Sequence, residues 1–310
     1  MQTKLLGNTD TRISIIGYGA MALSLPGRPP EDEAVRLIQR VLDEGVTFID
    51  TADTYCLPGE SPHHNERLVA RALASYRGDA SRVCVATKGG TVRVGAPWQI
   101  NGKPERLYRA IVQSYEALGG KCPIPLWQQH WPDPRYPVRE SMRSVRRAVD
   151  EGLVRHVGVS NFSVAQLREA REVVDIVSVQ NQYNLWCRDP ERDGMLEYCE
   201  REGVAFLPWR PFGGKGLAQR LGDIRPLAEL ARERGVSPYR LMMAWFLARS
   251  PCILPIPGTL VLDEVLDCLK AVDVKLTAAE VERISRITVD EMPRAETDPR
   301  PHLAVTDFDP

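Results

Sequence analysis

GVTFIDTADTY, residues 45–55, drives a short apolar run straight into Asp50 and places Tyr55 five positions later. VTFID has the length and residue types of a buried strand. A carboxylate at the end of such a strand is costly unless a partner offsets it. The fold, and the meaning of Asp50, depend on whether the other strands end in the same way.

Working outward, the chain alternates short β-branched runs with longer stretches of helical period. TRISIIGYGAM (11–21) precedes a helical stretch at 31–44, with Ala34, Leu37, Ile38 and Val41 on one face. VTFID precedes 65–75, RVCVATK (82–88) precedes 105–118, and IPLWQQH (124–130) precedes 138–151. VRHVGVS (154–160) leads into 165–173, and DIVSVQ (175–180) into 191–202. VAFLPW (204–209) is followed by two helices, 224–234 and 238–249, and CILPIPG (252–258) by 262–271. Eight strand–helix units favour a closed parallel (β/α)8 TIM barrel of the α/β class over an open sheet, and right-handed crossovers make that topology natural. KLLGNTDTRIS (4–14) reads as an added N-terminal β-hairpin plugging the bottom of the barrel. LTAAEVERISRI (276–287) reads as a further C-terminal helix, with Thr277 as N-cap and Glu280 completing a capping box. The tail, 288–310, lacks periodicity and is expected to be a surface loop. No linker divides the chain, so residues 1–310 are expected to form a single domain.

Composition narrows the functional classes. With 310 residues, 43% of them hydrophobic, the chain can bury a large core. Its 40 basic and 41 acidic residues nearly cancel, which argues against a general nucleic-acid binder. No apolar run reaches the roughly 20 residues of a membrane span, and the start lacks the apolar core of a signal peptide. Seven cysteines are scattered without a C-x-x-C pair and read as reduced thiols. A cytoplasmic protein is the expectation. The adjacent His63 and His64 have no evident third ligand, so no metal site is expected.

In parallel barrels the chemistry sits at the carboxyl ends of the strands. Those ends carry Asp50 and Tyr55, then Lys88, His130, Ser160 with Asn161, Gln180, Trp209, and Pro257-Gly258-Thr259. Polar side chains thus gather at one rim. Four of them form a proton-transfer set. Tyrosine ordinarily titrates near 10, too high for easy exchange at neutral pH. A nearby lysine lowers that value, an aspartate holds the lysine charged, and a histidine can orient a carbonyl oxygen. Trp98, Trp131 and Trp186 follow strands three, four and six and are expected to line the pocket; Cys56 is expected to be a bystander there.

FIDTADTY, VATKGG, QQHWPDP, VRHVGVSNF, VQNQYN and PIPGT together resemble, in order, the successive motifs of the aldo-keto reductase superfamily, over residues 5–287. The resemblance implies a nicotinamide cofactor bound in extended form and hydride transfer to an aldehyde or ketone. It makes Tyr55 the general acid, tuned by Asp50 and Lys88, with His130 positioning the carbonyl. Ser160, Asn161 and Gln180 match contacts to the nicotinamide carboxamide, and Trp209 matches the aromatic ring stacked on nicotinamide. PFGGKG, with Pro211, Phe212, Gly214 and Lys215, matches the pyrophosphate loop. Pro257, Gly258, Thr259 and Asp267 belong to the last cofactor-binding segment.

One departure bears on the cofactor. IPGTLVLDEVLDCL (256–269) has no Lys or Arg where the family commonly clasps an adenosine 2'-phosphate; it has Asp263, Glu264 and Asp267 instead. NADPH is the expectation from the family, and NADH competes with it because a carboxylate repels a phosphate but accepts from a ribose hydroxyl. Two other readings remain open: a cofactor-sensing subunit resembling auxiliary subunits of potassium channels, and a lyase or epimerase using bound cofactor transiently. The substrate, a small carbonyl compound, is not legible, and neither is the oligomeric state.

Overall fold

The computed structural model describes residues 1–310 except 94, 96, 215, 295–302 and 310, and excludes the side chain of Val289. Strand β4 (Phe48–Asp50) lies between β3 (Tyr18–Gly19) and β5 (Cys84–Gly89), all parallel. The sheet continues in the same sense through β8 (Ile124–Gln129), β9 (Val154–Ser160), β10 (Ile176–Gln182) and β11 (Ala205–Trp209).

The eighth run closes the ring without forming a regular strand. Phe206 N–H donates to Cys252 O (2.9 Å) and Leu254 N–H to Phe206 O (2.8 Å) on one side. On the other, Gly17 N–H donates to Pro255 O (2.9 Å) and Gly19 N–H to Pro257 O (3.0 Å). Pro255 and Pro257 accept but have no N–H to donate, so the ladder cannot be completed. Glycine is required at this seam: a Cβ on Gly258 would stand 2.5 Å from Gly19 O. The result is the closed α/β barrel expected from the alternation.

The helices wrap the outside. They are α1 (Glu31–Asp43), α2 (His64–Ala74), α4 (Val138–Asp150), α5 (Val164–Arg171), α8 (Arg225–Glu233), α9 (Pro238–Arg249) and α10 (Leu262–Leu269), with α3 (Pro104–Ala117) between β5 and β8. Helix α1 buries Ala34, Val35, Leu37, Ile38, Val41 and Leu42 in the main hydrophobic cluster; each large aliphatic side chain so buried contributes roughly 1.5–3 kcal/mol. Helix α11 (Ala278–Ser285) starts at the foreseen capping box of Thr277 and Glu280. No described helix is long and apolar enough to cross a membrane.

Four local expectations change. TRISIIGYGAM is not one strand. Its first part, β2 (Arg12–Ser14), pairs antiparallel with β1 (Thr3–Leu5) as the plugging hairpin, and only Tyr18–Gly19 joins the barrel. Leu6 and Ile13 of that hairpin pack with Phe48, Leu126, Leu207 and Leu254 to fill the barrel floor. The stretch 191–202 breaks into α6 (Asp189–Arg192) and α7 (Met195–Glu202) at Gly194, whose φ of 81° ends one helix and starts the next. A hairpin of β6 (Thr91–Arg93) and β7 (Trp98–Ile100) follows β5 and was not foreseen.

Finally, the described part of the tail is more than a surface loop. Ile100 N–H donates to Ala304 O (2.7 Å) and Thr306 N–H to Ile100 O (2.9 Å), so the tail adds an edge to that hairpin. Arg135 fastens it further through Asp307 (2.8 Å) and Thr306 O (2.9 Å).

Candidate active site

Side chains alternate along a strand, so residues two apart share a face. Phe48, Ala86, Leu126 and Leu207 belong to the barrel's interior cluster. Two residues onward, the same interior columns hold Asp50, Lys88, Gln128 and Trp209. The inner face therefore changes from apolar at the floor to polar at the mouth, and the strand period sets the change.

Lys88, fully buried, ties the mouth together. Its Nζ donates to Asp50 Oδ2 at 2.6 Å, to Thr51 O at 2.7 Å and to Tyr55 Oη at 3.2 Å. Gln180 Nε2 donates to the other oxygen, Asp50 Oδ1, at 2.8 Å. Asp50 thus has both oxygens engaged, which offsets the cost of ending a buried strand in a carboxylate. Burial works against the charge on Lys88, but Asp50 and Tyr55 outweigh it and raise its pKa. Tyr55 behaves differently from expectation. Burial dominates and raises its pKa above the ordinary 10, with the Lys88 charge pulling the other way. Lys88 offsets part of that rise without bringing the phenol's pKa down to neutral pH.

Tyr55 sits on the turn between β4 and α2, held where Asn65 N–H donates to its carbonyl (3.3 Å). The rings of Trp98 and His130 lie 6.1 and 6.0 Å from its own. His130 is placed by its N–H on Gly89 O (2.8 Å), and its Nδ1 is 3.0 Å from Thr91 Oγ1. Burial, aided by the Lys88 charge, lowers its pKa well below the ordinary 6.5, so the ring is neutral. If Thr91 donates to Nδ1, the proton resides on Nε2.

Next to this group, Ser160 Oγ donates to Gln180 O (2.7 Å). Asn161 adopts a left-handed backbone (φ 63°), tolerable for asparagine. Its Nδ2 donates to His130 O and Ser160 Oγ, both at 3.0 Å, and its Oδ1 accepts from Trp209 Nε1 at 3.1 Å. Tyr55, Trp98, His130, Ser160, Asn161, Gln180 and Trp209 thereby converge on a cavity of about 150 Å³, whose wall includes Met21, Trp131, Arg210 and, from the tail, Leu303. Trp186 does not reach it; its indole donates to Pro293 O (3.1 Å) and its ring packs against Gly213. Cys56 also faces elsewhere, into a separate cavity.

A larger cavity, about 460 Å³, lies under α10. Phe212, Pro257, Gly258, Thr259 and Asp267, all expected from the sequence, line it with Tyr239, Asp263, Glu264 and Cys268. The loop after β11 borders both cavities, giving Trp209 and Arg210 to the first and Phe212 to the second. Pro211 is buried at its start, and Gly213 and Gly214 have φ of 84° and 90°, a conformation suited to glycine. Lys215 lies outside the described residues.

Asp267 is less available than expected. It is ion-paired with Arg240 of α9 and hydrogen-bonded by Ser237. Arg240 is a cation that reading the residues after strand eight could not find. Thr259 Oγ1 donates to Glu264, leaving a carboxylate at the cavity wall. Two cavities bordering one glycine-bearing loop fit an extended dinucleotide. Asp263, Glu264 and Asp267 make the lining of the larger cavity acidic.

A parallel barrel with a buried Asp–Lys–Tyr set at its carboxyl rim, beside cavities suited to a dinucleotide, has the form of a nicotinamide-dependent oxidoreductase. The chain matches the Aldo/keto reductase family over residues 15–289 and belongs to that family. It is 36% identical over 274 residues to an uncharacterized oxidoreductase of Schizosaccharomyces pombe, covering 87% of this chain and 85% of the relative. It is 28% identical to a probable aldo-keto reductase of Glycine max, covering 92% and 88%. Among solved structures it resembles a thermostable aldo-keto reductase in complex with the inhibitor epalrestat (TM-score 0.79, 29% identity, 93% of this chain and 100% of the other). It also resembles a glycerol dehydrogenase of Gluconobacter oxydans (TM-score 0.79, 27% identity, 96% and 98%).

Proposed function

We propose that the protein reduces a small aldehyde or ketone, with Tyr55 as the proton donor. The observation that carries this reading is the Lys88 ammonium shared between Asp50 and the Tyr55 hydroxyl. The nicotinamide cofactor, when bound, supplies the hydride to the carbonyl carbon. Ser160, Asn161 and Gln180 would hold its carboxamide, and Trp209 would cover its ring. Neutral His130 donates from Nε2 to the carbonyl oxygen and fixes its direction. Tyr55 then gives its proton to that oxygen as negative charge develops there. The resulting phenolate is stabilised by the Lys88 ammonium, which Asp50 keeps charged and in place. In the reverse direction the same phenolate takes the alcohol's proton.

The finer assignments rest on the walls. In the larger cavity, Asp263 and Glu264 disfavour a 2'-phosphate, so NADH is the cofactor of this reading in place of the NADPH expected from the family. The small cavity walled by Trp98, Trp131 and Met21 suits a compact carbonyl compound with a flat or apolar body. The resemblance to a glycerol dehydrogenase adds small hydroxy-aldehydes to the candidates.

The test is fluorescence titration with NADH and NADPH, then a panel of small aldehydes and ketones followed by loss of reduced-nicotinamide absorbance. Tighter NADH binding and stoichiometric NADH consumption are expected. Tight binding without turnover on any member would favour a sensor, and product formed with NADH unchanged would favour a lyase or epimerase.

A further inference from the structure

Thr54 and Cys56, the chain neighbours of Tyr55, line a third cavity that shares no wall residue with the one beside the tyrosine. Its volume is about 200 Å³, enough for a compact ion with some water, since each liquid water occupies about 30 Å³. Arg67 of α2, Arg93 of β6 and Arg106 of α3 all line it.

Two of its walls are buried charges with unmet hydrogen-bonding capacity. Arg106 is only 6% exposed, and its Nη1 has no hydrogen-bond partner among the described residues. Its Nε lies 3.3 Å from Asp309 Oδ1 in the tail. Asp53 is 2% exposed, and its Oδ1 likewise has no partner among the described residues. Arg93 donates through Nη1 to Cys56 O (2.8 Å), while its Nε is buried without a partner among the described residues. The other carboxylate on the wall, Glu60, is taken up by both Nη atoms of Arg28, at 2.8 and 2.7 Å.

Arg106 shares Asp309, and Arg67 and Arg93 have no carboxylate partner among the described residues, so the wall's balance against Asp53 favours an anion over a metal ion. The carboxylate narrows the choice. An ionised Asp53 accepts hydrogen bonds and cannot donate them. It therefore tolerates an oxyanion that brings its own proton and repels one that has none. We propose that this cavity binds inorganic hydrogen phosphate, with Arg106 and Arg93 donating to its oxygens and Asp53 accepting from its P–OH group. Sulfate, of the same shape but without a proton at neutral pH, is rejected by the same carboxylate.

The protonation of Asp53 makes the discrimination measurable. Burial pushes its pKa up to about 7, Arg106 and His63 pull it down, and Glu66 pushes it up. Tyr55 and Cys56 are the other titratable groups that feel its charge. Below pH 7 a protonated Asp53 can donate to either anion. At pH 8 it is ionised, accepts only, and selects phosphate.

The test is isothermal titration of the whole protein with inorganic phosphate and with sulfate at pH 8 and constant ionic strength. It is run with and without excess NADH, so that phosphate taken up where the dinucleotide binds is separated from this site. One phosphate per chain is expected, with sulfate at least about tenfold weaker. Asp53→Asn, which can donate to either anion, should abolish the preference. Arg106→Met should weaken phosphate by at least about tenfold while leaving NADH affinity unchanged. Should Arg106→Met fail to fold by circular dichroism, Arg93→Met on the less buried wall reads the same contact. Equal affinity for the two anions in the wild type would overturn the proposal. So would phosphate binding that survives the arginine substitutions, or no detectable binding at millimolar phosphate.

Discussion

The cavity beside Tyr55 and the cavity under α10 border the same loop but are built from different parts of the chain. The first is walled mainly by residues on and just beyond β4, β5, β8, β9, β10 and β11, with Leu303 added from the tail. Its key group, Asp50–Lys88–Tyr55, is locked by bonds of 2.6 and 3.2 Å inside the barrel mouth. The second is walled by a loop and helix faces, and its charges sit on side chains outside the strands: Glu264 accepts from Thr259, and Asp267 pairs with Arg240. On the proposed reading, the chemistry is fixed by the barrel's geometry, whereas the choice of dinucleotide rests on side chains that the barrel does not constrain.

That contrast can be broken at either end. The largest effect belongs to Lys88. Lys88→Met leaves Asp50 buried without its cation, which should cost about 3–5 kcal/mol of stability. Urea denaturation at neutral pH measures this, and turnover should fall by about a hundredfold or more in the fraction that folds. Loss of activity with unchanged stability would mean that the pair is not buried as described. Next is Glu264→Arg. Replacing the carboxylate at the wall of the larger cavity should shift the ratio of NADPH to NADH affinity at least about tenfold towards NADPH, with kcat for NADH little changed. An unchanged ratio would place the adenosine end elsewhere.

The pH dependence sharpens the first cavity. Reduction needs Tyr55 protonated, and its pKa is raised, so kcat/KM for the carbonyl should hold through neutral pH and fall only on the alkaline side. Oxidation of the alcohol needs the phenolate and should rise with pH over the same range. His130 is held neutral by burial, so a substitution of His130 should remove no break near 6.5 from either profile. The smallest effect is expected from Trp186→Phe. It removes the hydrogen bond to Pro293 O and should change KM for the carbonyl by less than about threefold.

The same contrast explains what could be read in the sequence. Asp50, Lys88 and Gln180 were legible because they stand at strand ends, where a period of two forces them onto the barrel's inner face. The Thr277–Glu280 capping box was legible because its signal is local. The two prolines of CILPIPG hid the irregularity of the closing segment, since the run still looks like a strand until its missing N–H groups are counted. Pairing of the tail with Ile100, the Arg240–Asp267 ion pair and the placement of Arg106 beside Asp53 all join residues far apart in the chain. No motif or periodicity encodes those contacts. Trp186 was misplaced for the same reason: its position after β10 suited a pocket wall, but its partner, Pro293, lies far along the chain.

The most direct test of the account is single-turnover reduction by Tyr55→Phe. The variant, preloaded with NADH, is mixed with an aldehyde that the wild type reduces, and NADH loss is followed by stopped flow. Ring and packing are retained and only the hydroxyl is removed. The expected result is hydride transfer slower by about a hundredfold to ten-thousandfold, with NADH affinity within about twofold of wild type. Transfer at the wild-type rate would contradict the assignment of Tyr55 as the proton donor.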